Sequence, residues 1–252
     1  KLKTVRSKDD FQLDVDRMAA AITPRTRAVL LNSPNNPTGA VYSQKSISDL
    51  VALLNSKRSQ GQDIYLIADD AYRKLVFDGI TLPNLFKAYD LTFSINSHSK
   101  DLALPGERIG YIAISPRMPD AGLLVSGLMI TQRTLGFVNA PALFQRAVAK
   151  FQRTSVDIGE YQRKRDVLYD ALMEGGFECV KPQGAFYMFP RSPIADELVF
   201  VRMLQQDERI MVVPGRGFGK KGYFRIAYCV PMETIQKSAQ GFIRIGKRFI
   251  KR

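Results

Sequence analysis

The chain has 252 residues, of which 45% are hydrophobic and 24% charged, with a formal net charge of +13. That balance fits a globular protein of one large or two modest domains. No apolar run approaches the ~20 residues of a membrane-spanning helix. One histidine and two cysteines leave no ligand set for a metal such as zinc. The cations are scattered, as in Arg163-Lys164-Arg165 and Lys220-Lys221. They lack interleaved aromatics or a recognition motif, so they read as solvated surface and not as a nucleic-acid interface. Cys179 and Cys229 read as reduced thiols of a cytoplasmic protein. The opening Lys1-Leu2-Lys3-Thr4-Val5 has no initiator Met and lacks a signal-peptide core. The expectation is a chain that begins inside a longer protein.

In chain order, Ala28-Val29-Leu30-Leu31-Asn32 reads as a buried strand. Ser43 then caps a helix with Ile47, Leu50, Val51 and Leu54 at helical spacing, and Gly61 ends it. Residues 64–68, 92–96 and 109–114 read as further strands. Strands that are apolar throughout, separated by a helix, predict an α/β fold: a mostly parallel sheet with helices on both faces. Beyond Asn139 the pattern turns helical to Leu172, with a break near Thr154-Ser155. From Val156 it is charge-rich and predicts a long exposed helix, stopped by Gly175-Gly176. Strands at 177–180, 185–189, 209–213 and 223–229, with helices after Pro193 and Pro231, read as a small α+β domain. The expected domains are residues 1–152 and 153–252.

Parallel sheets gather ligands at the carboxyl ends of their strands. Three motifs fall there. Asn32-Ser33-Pro34-Asn35-Asn36-Pro37-Thr38-Gly39 follows the first strand. Ala68-Asp69-Asp70-Ala71-Tyr72 ends the second. Ser97-His98-Ser99-Lys100 follows the third, and Pro105-Gly106-Glu107-Arg108-Ile109-Gly110-Tyr111 comes next. A lysine amine flanked by hydroxyls, a guanidinium and a close-approach glycine suits a phosphorylated aldehyde. Asp69 at a strand end needs a partner, and alternation points Asp70 the other way. Arg225, within Phe224-Arg225-Ile226-Ala227-Tyr228, is costly in an apolar strand unless paired. His98 alternates away from Ser97 and Ser99 and reads as packing, not as a general base. Gly215-Arg216-Gly217-Phe218-Gly219 lacks phosphate-loop spacing and reads as a flexible turn near the substrate entrance.

Together these motifs resemble the class I/II aminotransferases, fold-type I enzymes that depend on pyridoxal 5'-phosphate. The resemblance runs over essentially the whole chain. It implies that Lys100 carries the cofactor as a Schiff base and shuttles the Cα proton. It implies that Asp69 faces the pyridine nitrogen, and that Asn36 and Tyr72 hydrogen-bond the phenolic oxygen. Ser97 and Arg108 would hold the phosphate, with Ser99 serving geometry more than binding. Asn36 and Arg225 would hold the substrate α-carboxylate. The implied reaction moves an amino group between a 2-amino acid and a 2-oxo acid, in a cytoplasmic homodimer without a nucleic-acid or membrane partner. A β-lyase, a cyclopropane-forming synthase or a non-catalytic effector domain of a transcription regulator would use the same scaffold. Full family members carry an N-terminal segment with a phosphate-binding loop, a ring that stacks on the cofactor and a tyrosine reaching the neighbouring subunit. That segment is not in this sequence, so the 252 residues alone are expected to be inactive.

Overall fold

The computed structural model describes residues 1–250. The chain divides into two compact units. The first comprises Lys1–Ser33, Tyr42–Lys74 and Thr81–Val156; the second comprises Pro34–Val41, Leu75–Ile80 and the chain from Asp157 on.

The first unit is built on a four-stranded sheet in the order β1 (Ala28–Asn32), β2 (Tyr65–Asp69), β3 (Thr92–Ser97), β4 (Gly110–Ile114). The first three strands are parallel, and β4 runs antiparallel to β3. Helix α1 (Val15–Ala21) precedes the sheet, α2 (Gln44–Ser59) joins β1 to β2, and the one-turn α3 (Leu85–Ala88) lies between β2 and β3. Ser43 caps α2 by accepting from Ser46 N, and Gly61 follows at φ +82°. Leu50 and Leu54 of α2, Met18 of α1, and Leu31 and Leu66 of the sheet form one buried cluster. Burying these side chains contributes roughly 1.5–3 kcal/mol each.

The apolar run of β1 is not buried throughout. Leu31 is 5% exposed but its neighbour Leu30 is 61% exposed, and Ile95 on β3 is 39% exposed. Alternation sends Leu30 to the opposite face from Leu31. A short apolar run does not by itself say whether both faces are covered. After β3 come the one-turn helix α4 (His98–Asp101), then β4, α5 (Ala121–Thr134) and α6 (Ala142–Lys150). Helix α5 lies before the predicted helical stretch and has no buried residue.

In the second unit, α7 (Ile158–Glu174) packs along α9 (Met232–Lys247). The expectation of an exposed α7 is corrected: Lys164, Arg165, Leu168, Ala171 and Leu172 are buried. Its charges mislead because Arg165, 1% exposed, spends its guanidinium internally. Arg165 donates to both oxygens of Asp78, to Asp166 and to Pro182 O. These bonds tie segment Leu75–Ile80 to α7. A three-stranded antiparallel sheet has the order β5 (Tyr187–Met188), β7 (Phe224–Ala227), β6 (Val213–Pro214), and α8 (Glu197–Asp207) lies between β5 and β6 in sequence.

Two expected strands are corrected. Residues 177–180 form no strand, because Phe177 instead anchors an aromatic cluster. Its ring lies 5.8 Å from Phe200, 6.0 Å from Phe224 and 6.2 Å from Phe242, within the range where aromatic pairs attract. The strand expected at 209–213 shrinks to β6, since Arg209 takes φ 57°, a turn conformation.

Candidate active site

In the first unit Asp69, Ser97 and Lys100 lie at or just past the carboxyl ends of β2 and β3. Asp69 is the last residue of β2 and pairs in register with Ile95, two residues before Ser97. Its carboxylate accepts from Ala71 N at 3.3 Å, and its carbonyl accepts from the Asn32 amide at 3.1 Å. Asp70 points to the opposite side, as alternation predicts. It is 5% exposed, accepts from Ser94 Oγ and lies 3.8 Å from Arg73. Burial raises its pKa above the usual carboxylate range, against the lowering effects of Ser94 and Arg73.

Lys100 sits in α4, half-buried, with Nζ 5.9 Å from the ring centroid of Tyr72. Tyr72 is 5% exposed. Ser97 caps α4: its Oγ accepts from Ser99 N at 3.2 Å and donates to Ser99 Oγ at 2.8 Å. The two hydroxyls and the lysine thus share one helical turn. His98 points elsewhere. It is 3% exposed, with Nδ1 3.3 Å from Asp101 Oδ1. Arg108 is exposed at φ 50°, and its guanidinium donates to Pro105 O at 2.9 Å within its own turn. Gly110 has its reason in the sheet. A Cβ there would collide with Asn96 O of β3.

The second unit brings Asn36 and Arg225 together. Arg225 Nη1 donates to Asn36 Oδ1 at 3.0 Å. The guanidinium carbon lies 4.6 Å from the Tyr187 ring and 4.7 Å from the Phe218 ring. Arg225 Nε is buried with no hydrogen-bond partner among the described residues. Gly39 lets the Asn36 loop approach closely; it has φ +68°, and a Cβ there would lie 2.5 Å from Pro182 Cβ.

Phe218 belongs to the 3-10 turn Gly215–Phe218, and this corrects the reading of that glycine-rich segment as flexible. The turn is tethered. Glu197, fully buried, accepts from Arg216 Nε at 2.8 Å and from Gly222 N at 3.1 Å. The Arg216 hydrogen bond pulls the Glu197 pKa down to about 2. Tyr187 and Phe218 escape sequence reasoning because nothing in an isolated aromatic residue names the arginine it will cover.

The first unit thus sets an amine and a carboxylate at neighbouring parallel-strand ends, and the second holds an arginine donor beside two aromatic rings. The profile of aminotransferase class I and II matches residues 1–242, and the chain belongs to that family. Among curated relatives, it is 30% identical to aromatic-amino-acid aminotransferase 2 of Thermococcus litoralis, over 95% of this chain and 62% of that protein. It is 32% identical to the aspartate/prephenate aminotransferase of Thermus thermophilus, over 94% of this chain and 61% of that one. An aminotransferase crystal structure from Eubacterium rectale superposes with a TM-score of 0.90 at 41% identity, covering 96% of this chain and 61% of its own. The chain therefore spans a little under two thirds of the length of the relatives it matches.

Proposed function

We propose that the whole protein is a pyridoxal 5'-phosphate-dependent aminotransferase that exchanges the amino group of a 2-amino acid with a 2-oxo acid, acting as a cytoplasmic homodimer. The observation that carries this reading is the placement of Lys100 and Asp69 at adjacent carboxyl ends of parallel strands, with Tyr72 beside the lysine amine. The donor set suits the cofactor group by group: an amine for the aldehyde, a carboxylate for the ring nitrogen, a phenol for the phenolate oxygen, and hydroxyls for the phosphate.

When bound, the cofactor supplies an electron sink for the pair left at the substrate Cα. The remaining work falls to side chains. Lys100 would hold the aldehyde and, as a neutral amine, take and return the Cα proton. Asp69 would favour a proton on the ring nitrogen by placing a negative charge beside it. Tyr72 and Asn36 would donate to the phenolic oxygen. Ser97 and Arg108 would hold the phosphate, while Ser99 fixes the turn. Arg225 binds the α-carboxylate by a planar, charge-assisted contact. Its buried Nε, a donor without a partner among the described residues, supports this reading.

The test uses the full-length protein with a panel of amino acids and 2-oxoglutarate. Asp69→Asn should reduce turnover by about three orders of magnitude or more, equivalent to losing about 4 kcal/mol of transition-state stabilisation. Asp70→Asn should mainly lower the melting temperature, since Asp70 bonds Ser94 and Arg73 instead. Equal, mild effects on turnover would sink the assignment.

A further inference from the structure

An ion pair that the sequence motifs do not announce lies beside Lys100. Asp101 ends α4 and follows Lys100 directly. Its side chain is 3% exposed and sits 3.0 Å from Lys74 Nζ. Lys74 in turn lies two residues past Tyr72, in the turn after β2. An ammonium has three hydrogens to donate, and Lys74 has three acceptors: Asp101 Oδ2, Gln152 O at 2.8 Å and Thr154 O at 3.0 Å. Asp101 has further ties. Its carboxylate oxygens are 3.3 and 3.4 Å from His98 Nδ1, and its carbonyl accepts from Val156 N at 2.8 Å. The Tyr72 turn, the Lys100 helix and residues 152–156 all meet at this pair.

Two consequences follow. A helix of four residues cannot hold itself together, so the pose of α4 depends on its tertiary ties. This pair ties the Lys100 segment to the Tyr72 segment. The second consequence is electrostatic. An unpaired buried carboxylate one residue after Lys100 would favour the protonated amine, yet only the neutral amine is a nucleophile or base. Lys74 cancels that charge. The other titratable groups here are already engaged. Tyr72 lies by Lys100 Nζ, and Tyr111 of β4 has its ring 5.9 Å from that of His98. Asp69 accepts from Ala71 N, while Asp70 accepts from Ser94 and lies near Arg73.

We infer that Lys74 and Asp101 are a positioning pair for Lys100, fixing its one-turn helix beside Tyr72 and neutralising the buried carboxylate that follows it in that helix. This rests on Lys100 being the reactive amine proposed above.

The test uses the full-length protein freed of cofactor. The pH dependence of Lys100 labelling by acetic anhydride, read by mass spectrometry of its peptide, reports the titration of that amine. Lys74→Gln should raise the titration midpoint by about one unit and Asp101→Asn should lower it by about half a unit, as expected for one uncompensated charge nearby. The double variant should return to within about 0.3 units of the wild type, since charge is again balanced. Lys74→Arg, which keeps the charge, should titrate like the wild type. A folded Lys74→Gln protein with no shift, or a double variant that keeps the shift, overturns the inference. If Lys74→Gln does not fold, Asp101→Asn and the double variant decide. The inference then falls if Asp101→Asn shows no downward shift or if the double variant fails to return. Borohydride reduction of the cofactor-loaded wild type, followed by peptide mapping, tests the parent reading separately. Cofactor fixed to another lysine would remove Lys100 from that role while leaving the signs above readable.

Discussion

A guanidinium packed against aromatic rings turns its polar edge to a ligand. Arg225 lies against the Tyr187 and Phe218 rings, with one edge nitrogen bonded to Asn36 and Nε without a partner among the described residues. Such packing restrains the plane of the fork, which favours a planar acceptor such as a carboxylate. In the full-length protein, Arg225→Lys should therefore raise KM for every amino acid by roughly 10- to 100-fold, the loss of about 1.5–3 kcal/mol for a charged hydrogen bond. Steady-state kinetics across neutral, aromatic and acidic amino acids check this. A loss confined to acidic substrates would instead make Arg225 a reader of a distal carboxylate. The two cysteines differ in the same local way. Burial pushes the Cys179 thiol up to about 12, and its Sγ lies 3.4 Å from Val180 O, while Cys229 is exposed. A disulfide reagent at pH 8 should modify one thiol per native chain and two after denaturation, since only a thiolate attacks. Fast modification of Cys179 in the native protein would contradict its raised pKa.

Among the elements, the short tethered ones carry most of the site. The 3-10 turn bearing Phe218 is held by Glu197, whose carboxyl has its pKa lowered to about 2 by Arg216. A depressed carboxylate pKa stabilises the folded state above its unfolded value, ~4.3, and that contribution is lost as pH falls toward 2. Glu197→Gln should thus lower the melting temperature by a few degrees at pH 7 and flatten its decline between about pH 4.5 and 2. Thermal melts of both proteins across that range test this, and parallel curves would refute it. Elements of this kind are where sequence reading stops. Strands β1 to β3 and helix α2 were legible because apolar runs, the Ser43 cap and Gly61 are local signals. The places of Asp69 and Lys100 in the fold are legible because they end or follow those strands. The Glu197–Arg216 and Lys74–Asp101 pairs span 19 and 27 positions respectively (216 − 197; 101 − 74). No periodicity marks such a pair. The buried face of α7 was hidden for the same reason, since Arg165 looks like a surface residue until Asp78 is placed against it.

At the scale of the whole molecule, exposed apolar surface gathers late in the first unit. Leu123 and Ile130 on α5 are 74% and 65% exposed, Phe137 after it is 76% exposed, and Leu143 on α6 is 74% exposed. Helix α5 has no buried residue at all. Water-soluble chains seldom leave such groups grouped and uncovered without a partner surface or a tendency to associate. The relatives this chain matches are longer, since it covers only 61–62% of their length. The 252-residue chain by itself is therefore expected to self-associate at micromolar concentration and to enhance the fluorescence of a hydrophobic dye. Replacing Leu123 and Leu143 together with lysine should cut that dye signal at least severalfold and shift the chain toward monomer. The folded core should be spared, because neither side chain belongs to the buried cluster of Leu31, Leu50 and Leu66. Light scattering and circular dichroism on the two proteins settle the matter. A wild-type chain that stays monomeric and dark with the dye would show that this surface is harmless to it. A double variant that unfolds would show that α5 and α6 contribute to the core more than their exposure indicates.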